Sequence, residues 1–124
     1  MTVADDELRR RDRLAAAAQA LGLALNQAVL EQLMAYLQLL QRWNRVYNLT
    51  ALRDPDEMLS HHLIDCLAIV APLRQVVADL THSGALRILD VGSGGGLPGV
   101  VLALVEPGWQ VSCVDTVAKK ANFI

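Results

Sequence analysis

The feature that most constrains this chain is the stretch Arg87 to Gly99, which reads Arg-Ile-Leu-Asp-Val-Gly-Ser-Gly-Gly-Gly-Leu-Pro-Gly. A short apolar run, Ile88, Leu89 and Val91, passes into glycines, and Val100 to Val105 then continues apolar without a further breaker. That order predicts a strand, a tight loop and a helix. Glycine lacks a Cβ and tolerates positive φ, so such a loop lets the backbone come close to a ligand. The N–H groups that open the helix would face that ligand, and Pro98 suits a first helical turn, where a missing donor costs little. A loop that binds nothing has no use for so many glycines, each of which loses extra entropy on folding.

Two ligand patterns overlap in this loop. Gly94, Gly96 and Gly99 satisfy G-x-G-x-x-G, the dinucleotide fingerprint, whereas Asp90, Gly92, Gly94 and Gly96 satisfy D-x-G-x-G-x-G, similar to the first motif of Rossmann-like S-adenosylmethionine (AdoMet) methyltransferases. Asp90 favours the second. A carboxylate at the strand end suits the cationic methionine end of AdoMet and would repel a pyrophosphate. Downstream, Pro107-Gly108 predicts a turn and Trp109 to Asp115 a second strand, parallel to the first across the crossover helix. Asp115 lies about twenty residues beyond the glycines, where an acid accepts hydrogen bonds from ribose hydroxyls in Rossmann-type folds. Asp90 and Asp115 therefore bracket one crevice, and Val117 to Ile124, with Lys119 and Lys120, starts a further helix.

The preceding residues read as helical. Asp5 to Ala20 has Leu8, Ala15, Ala18 and Leu21 at helical spacing, with Gly22 placed to end the helix. Arg9, Arg10, Arg11 and Arg13 form either a phosphate-contacting patch or a solvated face paired with Asp5, Asp6, Glu7 and Asp12, the commoner use of charge runs. Asn26 predicts an N-cap, followed by Val29, Leu30, Leu33, Leu37, Leu40 and Trp43 as a broad apolar stripe. Trp43 and Tyr47 share a helix face; they suit a core position, or less commonly a platform for a base.

Asp54-Pro55-Asp56-Glu57 is a dense helix-start signal for a helix running towards Ile69, with Pro72 at its end or opening the next piece. On that helix a hydrogen bond from His61 or His62 to Asp65 is expected to tie the helical part to the glycine loop's half. A metal would need a further ligand, which is not found. Leu73 to Leu80 reads as one more helix and Thr81 to Gly84 as a loop. The expected organisation is a helical region over 1–84 and a partial Rossmann-like AdoMet-binding domain over 85–124. The fold class is α/β: an N-terminal helical region and then the first βαβ unit of a Rossmann-like methyltransferase fold, with an incomplete sheet.

Composition narrows function little. At 53% hydrophobic the chain can build a core, and its net charge of −2 gives no global attraction to nucleic acid, so RNA contact requires a local patch. Cys66 and Cys113 lack C-x-x-C spacing and read as buried thiols rather than a disulfide or zinc framework. No window reaches membrane-spanning length free of charge, and a cytoplasmic location is expected.

Four stretches in order resemble the bacterial ribosomal RNA small-subunit methyltransferase G family, also called glucose-inhibited division protein B. They are Trp43-Asn44 with Asn48-Leu49-Thr50; Asp54-Pro55 with His62 and Asp65, where Cys66 stands in place of the family's Ser; Asp90 to Gly99, including Leu97-Pro98-Gly99; and Asp115 with Lys119, Lys120 and Phe123. The resemblance implies transfer of the AdoMet methyl to N7 of a guanine in 16S ribosomal RNA, without a metal. It also implies Asp90, Gly92, Ser93, Gly94, Gly96, Leu97 and Asp115 as cofactor-binding residues, and no catalytic residue can be assigned. Such a sheet has more strands than the two found here, so the chain is expected to hold half a cofactor site, to be inactive alone and to self-associate through an exposed sheet edge. Two other classes fit some of the same residues: a dinucleotide-binding oxidoreductase fragment, and a non-catalytic helical module that binds RNA or a partner.

Overall fold

The computed structural model describes residues 2–80 and 86–124; the loop expected over Thr81–Gly84 lies outside the described residues. Helix α1 (Val3–Ala20) opens with a capping box, in which Thr2 and Asp5 each satisfy the other's backbone N–H. It ends where Gly22 takes a φ of +76°. Helix α2 (Gln27–Tyr47) begins at Asn26, whose side chain accepts the Val29 N–H at 2.9 Å, as its sequence predicts. Leu33, Tyr36, Leu37 and Leu40 make its buried face. Asn44, also buried, donates to the Leu52 carbonyl at 3.0 Å and accepts from the Thr50 N–H at 2.9 Å, so one side chain shapes the turn that follows the helix.

Asp54 caps α3 (Pro55–Met58), which continues into a π-helical stretch (Leu59–Ile64) and α4 (Asp65–Leu67). Helix α5 (Val70–Leu80) then carries Pro72 in its first turn. The π stretch corrects the expected histidine pairing. Its i→i+5 bonding puts more residues in each turn, so positions three apart no longer share a face. His62 Nε2 instead meets Thr50 Oγ1 at 2.8 Å, and His61 Nδ1 only approaches Asp65 Oδ2 at 4.0 Å in solvent.

Strand β1 (Arg87–Val91), helix α6 (Gly99–Val105), strand β2 (Gln110–Val114) and helix α7 (Ala118–Phe123) complete the chain. The strands are parallel, in register from Arg87 opposite Gln110 to Val91 opposite Val114. The architecture is thus a set of helices followed by a small parallel sheet, an incomplete α/β fold. Helix α6 covers one sheet face and sends Val101, Leu102 and Val105 into the same buried cluster as Leu14, Leu37, Met58 and Leu63. Each such side chain contributes about 1.5–3 kcal/mol of hydrophobic stabilisation. On the opposite face Leu89, Val91 and Val114 remain exposed.

The arginines of α1 are largely spent inside the molecule. Arg9 and Arg10 both bind Asp56 of α3, Arg10 also binds Glu7, Arg11 reaches Glu31 of α2, and Arg13 donates to Ser60. The expected pairing within α1 holds for Arg9 with Asp6 and Arg10 with Glu7, and the remaining contacts go to other elements. They tie α1 to its neighbours. Cys66 and Cys113 are half-buried free thiols rather than core residues.

Candidate functional site

The C-terminal ends of β1 and β2 lie side by side, and the glycine loop crosses between β1 and α6. Gly92, Gly94 and Gly96 take φ values of +74°, +58° and +99°, which is why non-glycine residues would be strained there. At Gly92 and Gly94 a Cβ would meet nothing within 4 Å, so the loop's outer side opens onto free space. Gly95, Gly96 and Gly99 face inward. There a Cβ would come within 2.9 Å of Leu40 Cδ1, 2.5 Å of Val100 Cγ2 and 2.4 Å of Cys113 Sγ respectively.

The loop's own N–H groups are mostly occupied. Gly92 and Ser93 donate to the Val114 carbonyl at 2.7 and 3.2 Å, and Gly96 and Leu97 donate to the Ser93 carbonyl at 2.9 and 3.0 Å. Asp90 Oδ2 accepts the Gly99 N–H, the first of α6, at 2.9 Å. Asp115 Oδ2 accepts the Gly94 N–H at 2.8 Å and its Oδ1 the Val117 N–H at 2.8 Å. Those two bonds, Val117's the larger, hold the Asp115 carboxyl below its ordinary range. The expected row of N–H groups facing a ligand is therefore taken up by the protein. What remains is a loop braced by two carboxylates, each oxygen of which keeps a second lone pair.

The helices hold the loop from behind. Tyr36 donates its hydroxyl to the Gly95 carbonyl at 2.7 Å, and burial pushes its ionisation well above the ordinary tyrosine range. Sequence reasoning missed Tyr36 and Gly95. The signal was present, because Tyr36 brings a hydroxyl to the buried face between Leu33 and Leu40. Burial, then Asp65 and Asp90, raises Cys66 to about 11, and burial followed by Asp90 raises Cys113. The Ser93 hydroxyl, buried against Cys113, offsets part of that rise without reaching hydrogen-bond geometry to any described residue. Among the described residues no three His, Cys, Asp or Glu side chains gather as a metal centre requires. No described helix is long and apolar enough to cross a membrane.

All seven residues expected at the cofactor site fall on this one edge. Asp90 lies one residue before the end of β1 and Asp115 directly follows β2, while Gly92, Ser93, Gly94, Gly96 and Leu97 belong to the loop between β1 and α6. The family model for rRNA small subunit methyltransferase G (GidB) matches residues 29–124, a span that runs from α2 through both strands. The chain belongs to this family.

Its similarity to members of the methyltransferase G family extends over nearly its whole length. The protein named ribosomal RNA small subunit methyltransferase G from Leptothrix cholodnii is 61% identical over 92% of this chain and 50% of its own length. The proteins of the same name from Paracidovorax citrulli and Bordetella avium are 60% and 48% identical, each over all of this chain and 53% and 54% of theirs. The chain spans about half the length of the curated relatives it matches.

Proposed function

We propose that this chain carries half of the AdoMet site of a methyltransferase that acts on N7 of a guanine in 16S ribosomal RNA, in the cytoplasm. One observation carries the choice of cofactor: the Asp90 carboxylate sits on the first N–H of α6, where a dinucleotide would lay its pyrophosphate. An anion placed there repels a pyrophosphate and attracts a sulfonium. The residues fit AdoMet in a second respect, since Gly92 and Gly94 leave open space where side chains would otherwise stand.

In this reading Gly92, Ser93, Gly94, Gly96 and Leu97 shape the floor of the site, Asp90 sets its negative potential and Asp115 presents lone pairs to ribose hydroxyls. AdoMet, when bound, supplies an electrophilic methyl group. Guanine N7 bears a lone pair and no proton, so the chain need offer no general base; its task is to hold two reactants in line. Residues 1–84 serve as the helical buttress and residues 85–124 as the partial cofactor domain. The exposed sheet edge, beside a face where Leu89 and Val91 lie uncovered, pairs with a second copy of this chain.

Calorimetric titration with S-adenosylhomocysteine tests the reading, with NAD as the competitor ligand. Binding of S-adenosylhomocysteine that Asp115→Ala weakens by about 1–3 kcal/mol is expected, from the loss of charge-assisted hydrogen bonds. Preference for NAD, or indifference to Asp115→Ala and Gly94→Val in chains that stay folded by circular dichroism, overturns it. The choice of base is read on ribosomal RNA labelled from AdoMet by a full-length methyltransferase G relative, because this chain is expected to be inactive alone: borohydride and aniline cleave at N7-methylguanine, and label at an uncleaved base overturns N7.

A further inference from the structure

The C-terminal half of α2, with α7 beside it, has a surface that the cofactor site does not use. Trp43 stacks on Tyr47 with ring centroids 5.2 Å apart and planes 26° apart, and Phe123 of α7 meets Trp43 edge-on at 5.9 Å. Trp43 is 37% and Tyr47 38% exposed, so the expected core placement of this pair is overturned. With Arg42 and Val46 they line an open groove of about 500 Å³.

The two chain segments that carry these rings contain no acid. From Gln32 to Arg53 the sequence contains no Asp or Glu but has Arg42, Arg45 and Arg53, and from Thr116 to Ile124 it has Lys119 and Lys120 and again no acid. Arg53 is engaged by the Asn44 carbonyl and Asn48, and Lys120 lies near Asp115. Among the described residues Arg42 and Lys119 form no ion pair, whereas Arg9, Arg10, Arg11 and Arg74 all do. On a chain of net charge −2 this is the local basic patch that contact with a polyanion demands. The aromatic faces add a second requirement. They suit a partner with exposed π surfaces, and bases present these where they are unpaired.

We propose that this face docks a single-stranded segment of ribosomal RNA, with a base stacked on the Trp43–Tyr47 pair and phosphates beside Arg42, which lines the groove, and Lys119, one turn before Phe123 on α7. The inference rests on the rRNA methyltransferase reading for the identity of the RNA. The rings are tied to the glycine loop through the interior: Phe123 lies 6.5 Å from the buried Tyr36 between ring centroids, and Tyr36 binds the Gly95 carbonyl.

The test is a fluorescence-anisotropy titration of this chain with a short, dye-labelled single-stranded RNA of mixed sequence, beside a duplex of the same sequence. A Trp109→Phe background leaves Trp43 as the reporting indole. Tighter binding of the single strand and quenching of Trp43 emission are expected. Tyr47→Ala should weaken binding roughly tenfold, the scale of one lost base stack. The exposed pair Arg42→Ala with Lys119→Ala, which leaves the aromatic packing in place, should flatten the slope of log K against log salt by roughly 1.4, from two phosphates at about 0.7 each. Absent RNA binding, preference for the duplex, or affinity and salt slope unchanged in both variants overturns the inference. So does a concentration-dependent mass that Tyr47→Ala abolishes, which would assign the face to a second copy. The two readings fail separately. Binding of S-adenosylhomocysteine without RNA binding sinks only this surface, and RNA binding here with preference for NAD sinks only the cofactor.

Discussion

Gly99 and Gly108 show how two residues of one type differ. A Cβ at Gly99 would stand 2.4 Å from Cys113 Sγ and 2.9 Å from Asp90 Oδ2, between β2 and the carboxylate that holds α6. Gly99→Ala is expected to cost about 1–3 kcal/mol in urea unfolding, as overpacking does. Gly108, with nothing within 4 Å and no positive φ, should accept alanine without loss, because the change only restricts the unfolded chain. Asn44→Ala belongs with Gly99: it strands the Thr50 N–H and the Leu52 carbonyl and should cost about 1–3 kcal/mol. His62 sets a pH dependence. Burial lowers its pKa below the ordinary 6.5, so the unfolded chain takes up a proton that the folded chain refuses. Stability should fall as pH drops below about 6.5, and His62→Gln should flatten urea midpoints measured from about pH 7 to 5. At this scale the sequence disclosed which residues carry chemistry but not their partners. His62 looked like a mate for Asp65, and only the π geometry and the turn around Asn44 bring Thr50 to it.

Helix α2 is the element on which the others depend. One of its faces packs against α1 and the π stretch, Tyr36 and Leu40 press on the glycine loop, and its last turns carry the aromatic groove. Leu40→Ala, at a fully buried position, is expected to cost about 2–5 kcal/mol and to weaken S-adenosylhomocysteine binding as well, because Leu40 backs Gly95. Arg74→Ala, which removes the largely exposed pair between α5 and Glu106, should change stability by no more than about 1 kcal/mol. Denaturant titration of both variants checks that ordering. Helix starts were legible because caps act locally: Asn26 and Asp54 each satisfy N–H groups two or three residues away. The break of the expected Pro55-to-Ile69 helix into α, π and α turns was not, since it places Leu59 and Leu63 against helices distant in sequence.

For the whole molecule the consequential feature is the sheet. Parallel strands are ordinarily covered on both faces, yet here Val91 is 75% and Leu89 62% exposed on one face, opposite α6. Sedimentation should therefore show a mass above the monomer at micromolar concentration, and Val91→Lys should return it to the monomer; a monomer at every concentration would sink self-association. The sequence by itself determined the strand–loop–helix–strand order, the glycine-rich loop, the acids at the strand ends and the family, because each depends on neighbours or on short spacing. Only the tertiary structure decided that Asp90 and Asp115 turn their oxygens to the backbone, that Tyr36 grips a loop 59 residues away, that the α1 arginines are consumed by Asp56 and Glu31, and that Trp43 and Tyr47 face solvent. Those outcomes depend on which surfaces meet when helices pack, and contacts between distant segments leave no periodicity in the chain to read.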